Sequence, residues 1–402
     1  MIKQLLNCLC CNSKNLSSTF DLGEVPLANS FTPEVNNTKF ELKLNLCLDC
    51  FHSQLDQSID PNVLFDDYVY LSGTSEELNS YFKSFVKVAE SEFNKNLEVL
   101  DIASNDGSLL KEFKDRGHNV LGIDPAKNLE EVSKNKGVDT ICNYWPLPDN
   151  FKLDRTFDVV IAMNVFAHVN NPRAFLSEIE NYIHKNSKIY IQTSQSEMFI
   201  NNEFDTVYHE HISFFNVKSF LKLLEETNFF LESVTKVPVH GSSYLWKLST
   251  NKKNFDTDGS VDKIFKLEEK FGIYNHKIYQ NFKVNAEKRI MEVQNIVSEY
   301  KSKEYLIACC GIAAKGITFL NYGNIEVDLF FDNNLLKQNK FVPGYSKKVE
   351  SFEKLKELEE KCLFIIPAWN FKEEIIKQLL NIENNQSNEV VTYYPEVEIK
   401  KL

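Results

Sequence analysis

Short apolar runs alternate with amphipathic segments between residues 97 and 249. The apolar runs predict strands, and apolar residues at helical spacing predict the helices between them. Strands that alternate with helices are typical of a mostly parallel, doubly wound sheet. Two last strand-like runs have no helix between them and therefore predict an antiparallel hairpin at the sheet edge. The strands are expected at 97–103, 119–123, 157–163, 187–193, 229–237 and 243–249, and the helices at 107–116, 127–135, 172–184 and 217–227.

A helix and a second alternation flank this region. Residues 74–77 form a capping-box pattern, and the apolar stripe that follows predicts a helix leading into the sheet. A polar stretch at 251–260 is interpreted as a linker, followed by a long helix to residue 301 that is broken near Gly272. The second alternation then predicts another α/β domain. Its strands are expected at 304–309, 326–331, 362–366 and 390–394, and its helices at 314–320, 352–360 and 371–380.

Composition limits the function classes. The 402 residues are 43% apolar and 12% aromatic, enough for two or three folded domains. A net charge of −12 without a basic block argues against nucleic acid or an anionic membrane as the main partner. The N-terminal residues lack the apolar core of a signal peptide, and the longest apolar runs are too short for a membrane span. The sequence therefore predicts a cytoplasmic protein whose nine cysteines are reduced.

Four of these cysteines form two pairs with metal-ligand spacing. Cys8 and Cys11 make one C-x2-C knuckle, and Cys47 and Cys50 make the other. Four thiolates satisfy a tetrahedral, closed structural zinc site, which would stabilise the loop-rich first 73 residues. A chance cluster of small buried residues is the alternative, and His52 lies near enough in sequence to be a substitute ligand.

The turn after the first parallel strand is the candidate cofactor loop, because ligands of doubly wound sheets lie at the carboxyl ends of the strands. A dinucleotide loop would need glycines where this chain has Ala103, Asn105 and Ser108. A single glycine, Gly107, with flanking acids instead suits a cofactor that bears a sulfonium and an ammonium group. Asp124, which ends the next strand, could accept both ribose hydroxyls or could be a helix N-cap.

A second group of residues has acid–base character. Tyr208, His209, Glu210 and His211 follow one another, and histidine is a natural base for removing a proton next to a carbonyl. His168 follows the 157–163 strand and is expected to face the same crevice, with Asn164 before it. A surface loop and a His-x-His metal pair are the alternatives.

These motifs and their order resemble those of the nucleotide-sugar C-methyltransferases that make branched-chain deoxysugars. The resemblance extends over nearly the whole chain. Besides the two cysteine knuckles, the matching motifs are Pro26-Leu27-Ala28-Asn29-Ser30-Phe31, Asp67-Tyr68-Val69-Tyr70-Leu71-Ser72-Gly73-Thr74-Ser75, Ala103-Ser104-Asn105-Asp106-Gly107, Tyr208-His209-Glu210-His211, Ala314-Lys315-Gly316, Pro343-Gly344 and Ala368-Trp369-Asn370-Phe371.

The resemblance implies three parts: a zinc-binding domain at 1–73, a class I methyltransferase domain with a doubly wound sheet at 74–255, and a C-terminal Rossmann-like α/β domain at 256–402 that contacts the nucleotide sugar. It implies S-adenosylmethionine as cofactor, a structural Zn²⁺, and methylation of a 4-keto-deoxysugar, at C3, by a monomer or weak homo-oligomer. The implied cofactor contacts are Tyr70, Ser75, Asp101, Ala103, Asn105, Gly107, Asp124, Pro125 and Asn164.

The resemblance also implies catalytic roles. His211 would be the general base, with Tyr208, Glu210 and His168 around the keto and hydroxyl oxygens of the sugar. Tyr68, His168, His240 and Lys315 would contact the substrate, and Lys315 would do so at the diphosphate unless its motif serves packing alone. The alternatives are O- or N-methylation of a nucleotide sugar, a dinucleotide-dependent epimerase or oxidoreductase, and a non-catalytic zinc-bearing scaffold.

Overall fold

The computed structural model describes residues 2–74, 76–194, 197–239, 241–382 and 388–402. The strands are β1 Ile2–Gln4, β2 Leu16–Val25, β3 Phe40–Cys47, β4 Ser53–Leu55, β5 Gln57–Ile59, β6 Glu98–Ile102, β7 Asn119–Asp124, β8 Thr140–Cys142, β9 Phe157–Met163, β10 Ile183–Ser194, β11 Ser213–Phe214, β12 Phe230–Val237, β13 Ser243–Ser249, β14 Leu306–Cys310, β15 Leu329–Phe331, β16 Val349–Glu350, β17 Cys362–Ile365, β18 Glu389–Thr392 and β19 Glu398–Lys401.

The helices are α1 Pro61–Phe65, α2 Glu76–Glu90, α3 Ser108–Lys114, α4 Lys127–Asn135, α5 Pro172–Glu180, α6 Met198–Asn201, α7 Val217–Leu224, α8 Ser260–Phe271, α9 His276–Ser302, α10 Ala314–Tyr322 and α11 Lys372–Leu380. The chain divides into two compact units. The first contains Met1–Ser17, Asn45–Ser196 and Glu210–Tyr274, and the second contains Ser18–Leu44, Glu197–His209 and Asn275–Leu402. Among the described residues, no helix combines the length and apolarity that a membrane span requires.

A seven-stranded sheet forms the centre of the first unit, in the order β12-β13-β10-β9-β6-β7-β8. Strands β6 to β10 pair in parallel, and β13 is antiparallel to both β10 and β12. The predicted doubly wound sheet with an edge hairpin is therefore confirmed. Strand order reverses at β6, which lies between β7 and β9, so the turns after β6 and β9 border one crevice.

Two details of this sheet differ from the sequence prediction. The short strand β8 was not predicted, because its three residues carry no periodic pattern of their own. The helix expected at 172–184 ends at Glu180, since Ile183 already pairs with Phe157 of β9. Apolar periodicity continues across this boundary, so only the pairing decides where the helix stops.

The second unit contains a six-stranded sheet in the order β16-β15-β14-β17-β18-β19. Its first five strands in sequence pair in parallel, and β19 is antiparallel to β18. If these strands are renumbered from β14 along the chain, their order is 3-2-1-4-5-6, which is the order of doubly wound sheets that bind dinucleotides. The predicted second α/β domain is confirmed, but residues 352–360 form only a 3₁₀ helix, Phe352–Glu357.

The long helix breaks where the sequence predicts. Helix α8 ends at Phe271, and Gly272 follows with a φ of 81°. The left-handed conformation suits glycine and closes the last turn of the helix. Helix α8 belongs to the first unit and α9 to the second.

An aromatic stack anchors α7 on the first sheet. Phe220 of α7 lies parallel to Trp246 of β13, with ring centroids 4.2 Å apart. Both side chains are fully buried, and the indole of Trp246 donates a hydrogen bond to Thr193 at 2.9 Å. This stack therefore fixes α7, which begins six residues after His211, against the sheet.

We expect Phe220→Ala to lower the free energy of unfolding of the first unit by about 3–5 kcal/mol, since it removes a buried ring and leaves a cavity beside Trp246. Urea denaturation followed by circular dichroism measures the change. Phe255→Ala is the control: this ring is 48% exposed, so the change should be about 0.5 kcal/mol or less. Equal losses in the two variants would contradict the assignment.

Candidate active site

The turn after β6 has an unusual backbone. Ala103, Asn105 and Gly107 have φ values of 61°, 51° and 74°, all in the left-handed region. This conformation is costly for residues that carry a Cβ, so surrounding contacts must hold it. The Ala103 amide donates to the Ile123 carbonyl at 2.7 Å, and the Asn105 amide donates to Asp124 at 2.8 Å. The turn is therefore fixed by β7, the neighbouring strand.

Asp124 lies at the carboxyl end of β7 and accepts two backbone hydrogen bonds. One oxygen accepts from Asn105 and the other from Ala126, at 2.9 Å. The alternative that Asp124 is the helix N-cap is wrong, because the N-cap residue of α4 is Ala126. Burial raises the pKa of Asp124, and the charge of Asp106 adds to this effect. Pro125 follows directly and is half-buried.

Asp101 is the second buried carboxyl beside this turn. It is 3% exposed, and none of the described residues hydrogen-bonds its Oδ1 atom. Burial and the nearby charge of Asp124 raise the pKa of Asp101 well above its usual value. A buried carboxyl without a partner, next to a second one, fits a site that receives a cation or a hydroxyl-bearing ligand. Both acids and the turn thus suit S-adenosylmethionine.

Residues 65–73, here called the covering segment, are bound to the same turn. Asn105 accepts from the amide of Ser72 at 3.0 Å and donates to the carbonyl of Tyr70 at 3.1 Å. Asp106 accepts from the amide of Gly73 at 2.9 Å. The Tyr70 side chain is 36% exposed. Two side chains of the cofactor turn therefore determine the course of the covering segment.

Asn128 and Tyr68 extend this arrangement towards the acid–base cluster. The side chain of Asn128 hydrogen-bonds both the amide and the carbonyl of Tyr68, at 3.0 and 2.9 Å. The Tyr68 hydroxyl then donates to Glu210 at 3.1 Å. The covering segment thus joins the turn after β6 to the residue that precedes His211.

His211 is buried beside His168. The side chain of His211 is 8% exposed, and the two imidazole centroids are 5.2 Å apart. Phe65 also stacks on His168, with ring centroids 5.5 Å apart and the rings inclined by 6°. Burial lowers the pKa of His168 to about 4, so this ring is neutral at physiological pH. The expectation that His168 and His211 face one crevice agrees with this contact.

His209 and Tyr208 belong to the second unit. The His209 Nε2 atom lies 3.3 and 3.2 Å from the carbonyl oxygens of Phe40 and Glu41 and donates to them. Burial lowers the pKa of His209 to about 4. Its ring is therefore a structural hydrogen-bond donor, and the side chain of Tyr208 is half-buried.

Asn164, after β9, is held by a residue that sequence reasoning missed. Its φ is 58°, and its side-chain oxygen accepts from the buried Gln192 at 3.0 Å. Gln192 in turn accepts from the hydroxyl of Tyr81 at 2.7 Å. Gln192 lies in an apolar strand, and a polar residue at a fully buried strand position is the signal that could have found it.

Lys315 lies in the second unit, at the start of α10. Its ammonium is 3.7 Å from Glu203 and 4.4 Å above the ring of Trp369. A Cβ at the next residue, Gly316, would approach Pro367 to 2.6 Å, so the glycine of this motif serves packing. Ser75 and His240, also named as binding residues, lie outside the described residues.

The four cysteines of the two knuckles converge. Their sulfur atoms all lie within 4.8 Å of one another, and the Cys8–Cys50 and Cys11–Cys47 pairs are each 3.5 Å apart. Tetrahedral zinc with bonds of about 2.3 Å would separate its sulfur ligands by about 3.8 Å. The quartet therefore has the chemistry and the spacing of a closed zinc site. His52 is directed elsewhere, towards Ser213.

Comparisons with known proteins agree with this arrangement. Residues 8–65 match a family model for a domain described as zinc binding, residues 75–234 match a methyltransferase domain, and residues 238–395 match a C-methyltransferase C-terminal domain. C-methyltransferase NovU from Streptomyces niveus is 24% identical over 395 residues, covering 94% of this chain and 92% of NovU.

Other similarities are shorter. An uncharacterized Methanocaldococcus jannaschii protein, MJ0638, is 28% identical over 205 residues, 49% of this chain and 82% of that protein. The crystal structure of magnesium protoporphyrin IX methyltransferase from Synechocystis PCC 6803 with bound S-adenosylmethionine covers 42% of this chain and 78% of that one, with 14% identity and a TM-score of 0.34.

Fold, site and family models together define an S-adenosylmethionine-dependent methyltransferase with a zinc-binding N-terminal domain. The three matched domains follow one another in this order along the chain, and the chain is related to the C-methyltransferase NovU along almost its full length.

We expect Asp124→Ala to weaken binding of S-adenosylmethionine about 10- to 100-fold, because it removes a carboxylate that both fixes the turn and can accept ribose hydroxyls. Titration calorimetry measures the dissociation constant. Asp115→Asn is the control. The exposed side chain of Asp115 forms an ion pair with Lys111 of α3, so its substitution should leave binding unchanged. Unchanged binding in Asp124→Ala would refute the role.

Proposed function

We propose that this methyltransferase adds a methyl group to C3 of a nucleotide-linked 4-keto-deoxysugar. The observation that carries the proposal is the contact between buried His211 and half-buried His168, joined through the covering segment to the turn beside Asp124. A base is needed because a carbon nucleophile must first lose a proton, whereas many oxygen nucleophiles need less help. The resemblance to nucleotide-sugar C-methyltransferases supports the choice of sugar.

His211 is the proposed general base. The sugar loses its C3 proton to the imidazole, and the electrons of the carbon–hydrogen bond form an enolate with the C4 carbonyl. His168 has a pKa of about 4, so it remains neutral and does not oppose protonation of His211 through charge repulsion. The ring of Phe65 stacks on His168 and makes the surroundings of this imidazole apolar.

The developing enolate oxygen needs hydrogen-bond donors. Tyr208 is the proposed donor. Tyr68 gives its one hydroxyl proton to Glu210 at 3.1 Å, so we propose that it orients Glu210 and contacts the sugar as a hydrogen-bond acceptor. His168 can donate from its neutral ring. When the enolate carbon forms its new bond to the methyl carbon, the oxygen returns its charge to restore the ketone, and the product leaves with one more methyl group.

S-adenosylmethionine supplies the electrophilic methyl group and accepts the electrons of the broken sulfur–carbon bond. Asp124 and Pro125 are proposed at the ribose, Asp101, Ala103 and Gly107 along the turn, and Asn164 at the methionine part. Tyr70, Ser75 and Asn105 are proposed to complete these contacts. Burial raises the pKa of Asp101 and of Asp124, and a bound cationic cofactor would offset this by favouring their ionised forms.

We propose three domains, at residues 1–73, 74–255 and 256–402. The C-terminal domain is proposed to bind the nucleotide part of the substrate. Lys315 is the proposed diphosphate contact. Its neighbour Glu203 is buried with a raised pKa, mainly through burial, and is a poor permanent partner for the ammonium. His240 is the remaining proposed sugar contact. We propose a cytoplasmic monomer or weak homo-oligomer that acts on small nucleotide sugars.

We expect His211→Asn to reduce kcat about 10²- to 10⁴-fold, because it removes the base while leaving a hydrogen-bonding side chain of similar size. Transfer of a labelled methyl group to the 4-keto forms of dTDP-, CDP- and GDP-sugars measures it. His276→Asn, at the half-buried first residue of α9, is the control and should keep full activity. Failure of the wild type to methylate any of these sugars would end the sugar proposal.

We expect His168→Asn to lower kcat without moving the acidic limb of the pH–rate profile. A group with a pKa of about 4 is deprotonated throughout the pH range 5–8, so its removal cannot shift an inflection there. The profile of kcat/KM against pH for wild type and variant provides the measurement. A shift of the acidic limb in His168→Asn would assign that limb to His168 and contradict its neutral role.

A further inference from the structure

The strand that follows His211 is paired with a strand of the zinc-binding domain. Within the first unit, Ser213 of β11 lies opposite Gln54 of β4, and Phe214 lies opposite Ser53. The ladder extends to the residue next to His211, because the amide of Leu55 donates to the carbonyl of Ile212 at 2.9 Å. The backbone beside the proposed base is therefore fixed by residues three to five positions after the zinc ligand Cys50.

Gln54 also holds the other zinc knuckle. Its side-chain oxygen accepts from the amide of Leu9 at 2.8 Å, and its side-chain nitrogen donates to the carbonyl of Asn7 at 3.1 Å. These two residues flank the zinc ligand Cys8. Gln54 has no exposed surface, so water cannot replace these hydrogen bonds without local opening. One side chain thus joins the first knuckle to the strand opposite Ser213.

Neighbouring contacts support the same connection. His52 is fully buried, and its Nε2 atom lies 3.2 Å from the hydroxyl of Ser213. The His52 carbonyl accepts from the amide of Cys47 at 2.8 Å. Asn216, the N-cap of α7, donates to the carbonyl of Phe51 at 2.6 Å. Both ends of β11 are therefore tied to the second knuckle and the residues that follow it.

We propose that Gln54 is a positioning residue for His211. Its hydrogen bonds couple the position of the first zinc knuckle to the position of β11, the strand that follows the base. The catalytic part of this inference rests on the function proposed above, but the mechanical part does not. The zinc site would then set the position of a catalytic group as well as stabilise its own domain.

The physical basis is the coupling of metal binding to local folding. A bound zinc ion holds Cys8 and Cys11 against Cys47 and Cys50, and so fixes Asn7 and Leu9 where Gln54 reaches them. Loss of the metal frees the first knuckle, and the Gln54 side chain loses both partners. The residues proposed to hold S-adenosylmethionine lie instead on or beside the parallel sheet, so their geometry should change much less.

Hydrogen–deuterium exchange of the full-length protein tests the mechanical part. We compare the zinc-loaded wild type, the wild type after zinc removal by a chelator, and Gln54→Ala. Peptides covering residues 52–58 and 208–216 should exchange about tenfold faster in the last two samples, since two hydrogen bonds are lost. Peptides covering β6 and the turn after it should exchange at the wild-type rate in Gln54→Ala.

Gln57→Ala is the matched control. Gln57 is a buried glutamine of the same domain, and its side chain accepts a hydrogen bond from Gln4 on β1. It should leave exchange at 208–216 unchanged. Wild-type exchange at 208–216 in both Gln54→Ala and the zinc-free protein would overturn the proposal, as would equal acceleration in Gln57→Ala.

Kinetics test the catalytic part separately. Gln54→Ala should retain about one zinc per chain and the wild-type affinity for S-adenosylmethionine, with kcat reduced about tenfold through misplacement of the base. A fall in kcat that is matched by equally weakened cofactor binding would show general disruption and overturn the positioning role. If the wild type methylates no keto-sugar, the proposed function fails, while the exchange result still decides whether the knuckle and β11 are coupled.

Discussion

The carboxylate of Asp124 holds the turn after the first parallel strand, and the proposed cofactor site depends on that hydrogen bond. Ala103 and Asn105 adopt left-handed backbone conformations that the turn sequence alone would disfavour. The second sheet contains the same device: the amide of Ile312 donates to Asp332 at 2.8 Å, after a glycine in the left-handed region. There, however, the ammonium of Lys337 lies 3.2 Å from the same carboxylate oxygen. In the second sheet, therefore, one of the chain's own cations lies beside the carboxylate that holds the turn.

In the proposed acid–base site, the surroundings of His168 keep its ring neutral. Phe65 and His211 both contact His168, and burial holds its pKa near 4. A neutral imidazole can donate or accept a hydrogen bond, but it does not raise the electrostatic cost of a proton on its neighbour. The covering segment brings Tyr68 to Glu210 and simultaneously binds Asn105 of the cofactor turn. Cofactor turn and acid–base residues are therefore parts of one hydrogen-bonded arrangement.

Sequence periodicity predicted the long elements well and the short ones poorly. Strand β9 and helix α4 have the predicted bounds, because strong apolar patterns coincide with buried faces. Strand β8 was missed, and residues 352–360 form a shorter 3₁₀ helix, because tertiary pairing and packing decide such elements. For the candidate site, the motifs around Gly107 and His211 could be recognised in the sequence. Gln192 and Gln54 were not found, since a single buried glutamine carries no spacing pattern.

The sequence indicated the class of chemistry only through the resemblance of its ordered motifs to a known family. By local pattern alone it determined the two alternating α/β regions and the two cysteine knuckles. These features are local: apolar period, ligand spacing and residue type are properties of neighbouring positions. The tertiary structure decided that His211 lies beside His168, that His209 donates to backbone carbonyls, and that β11 pairs with β4. Such contacts join residues far apart in the chain. They depend on strand order and burial, which no local pattern encodes.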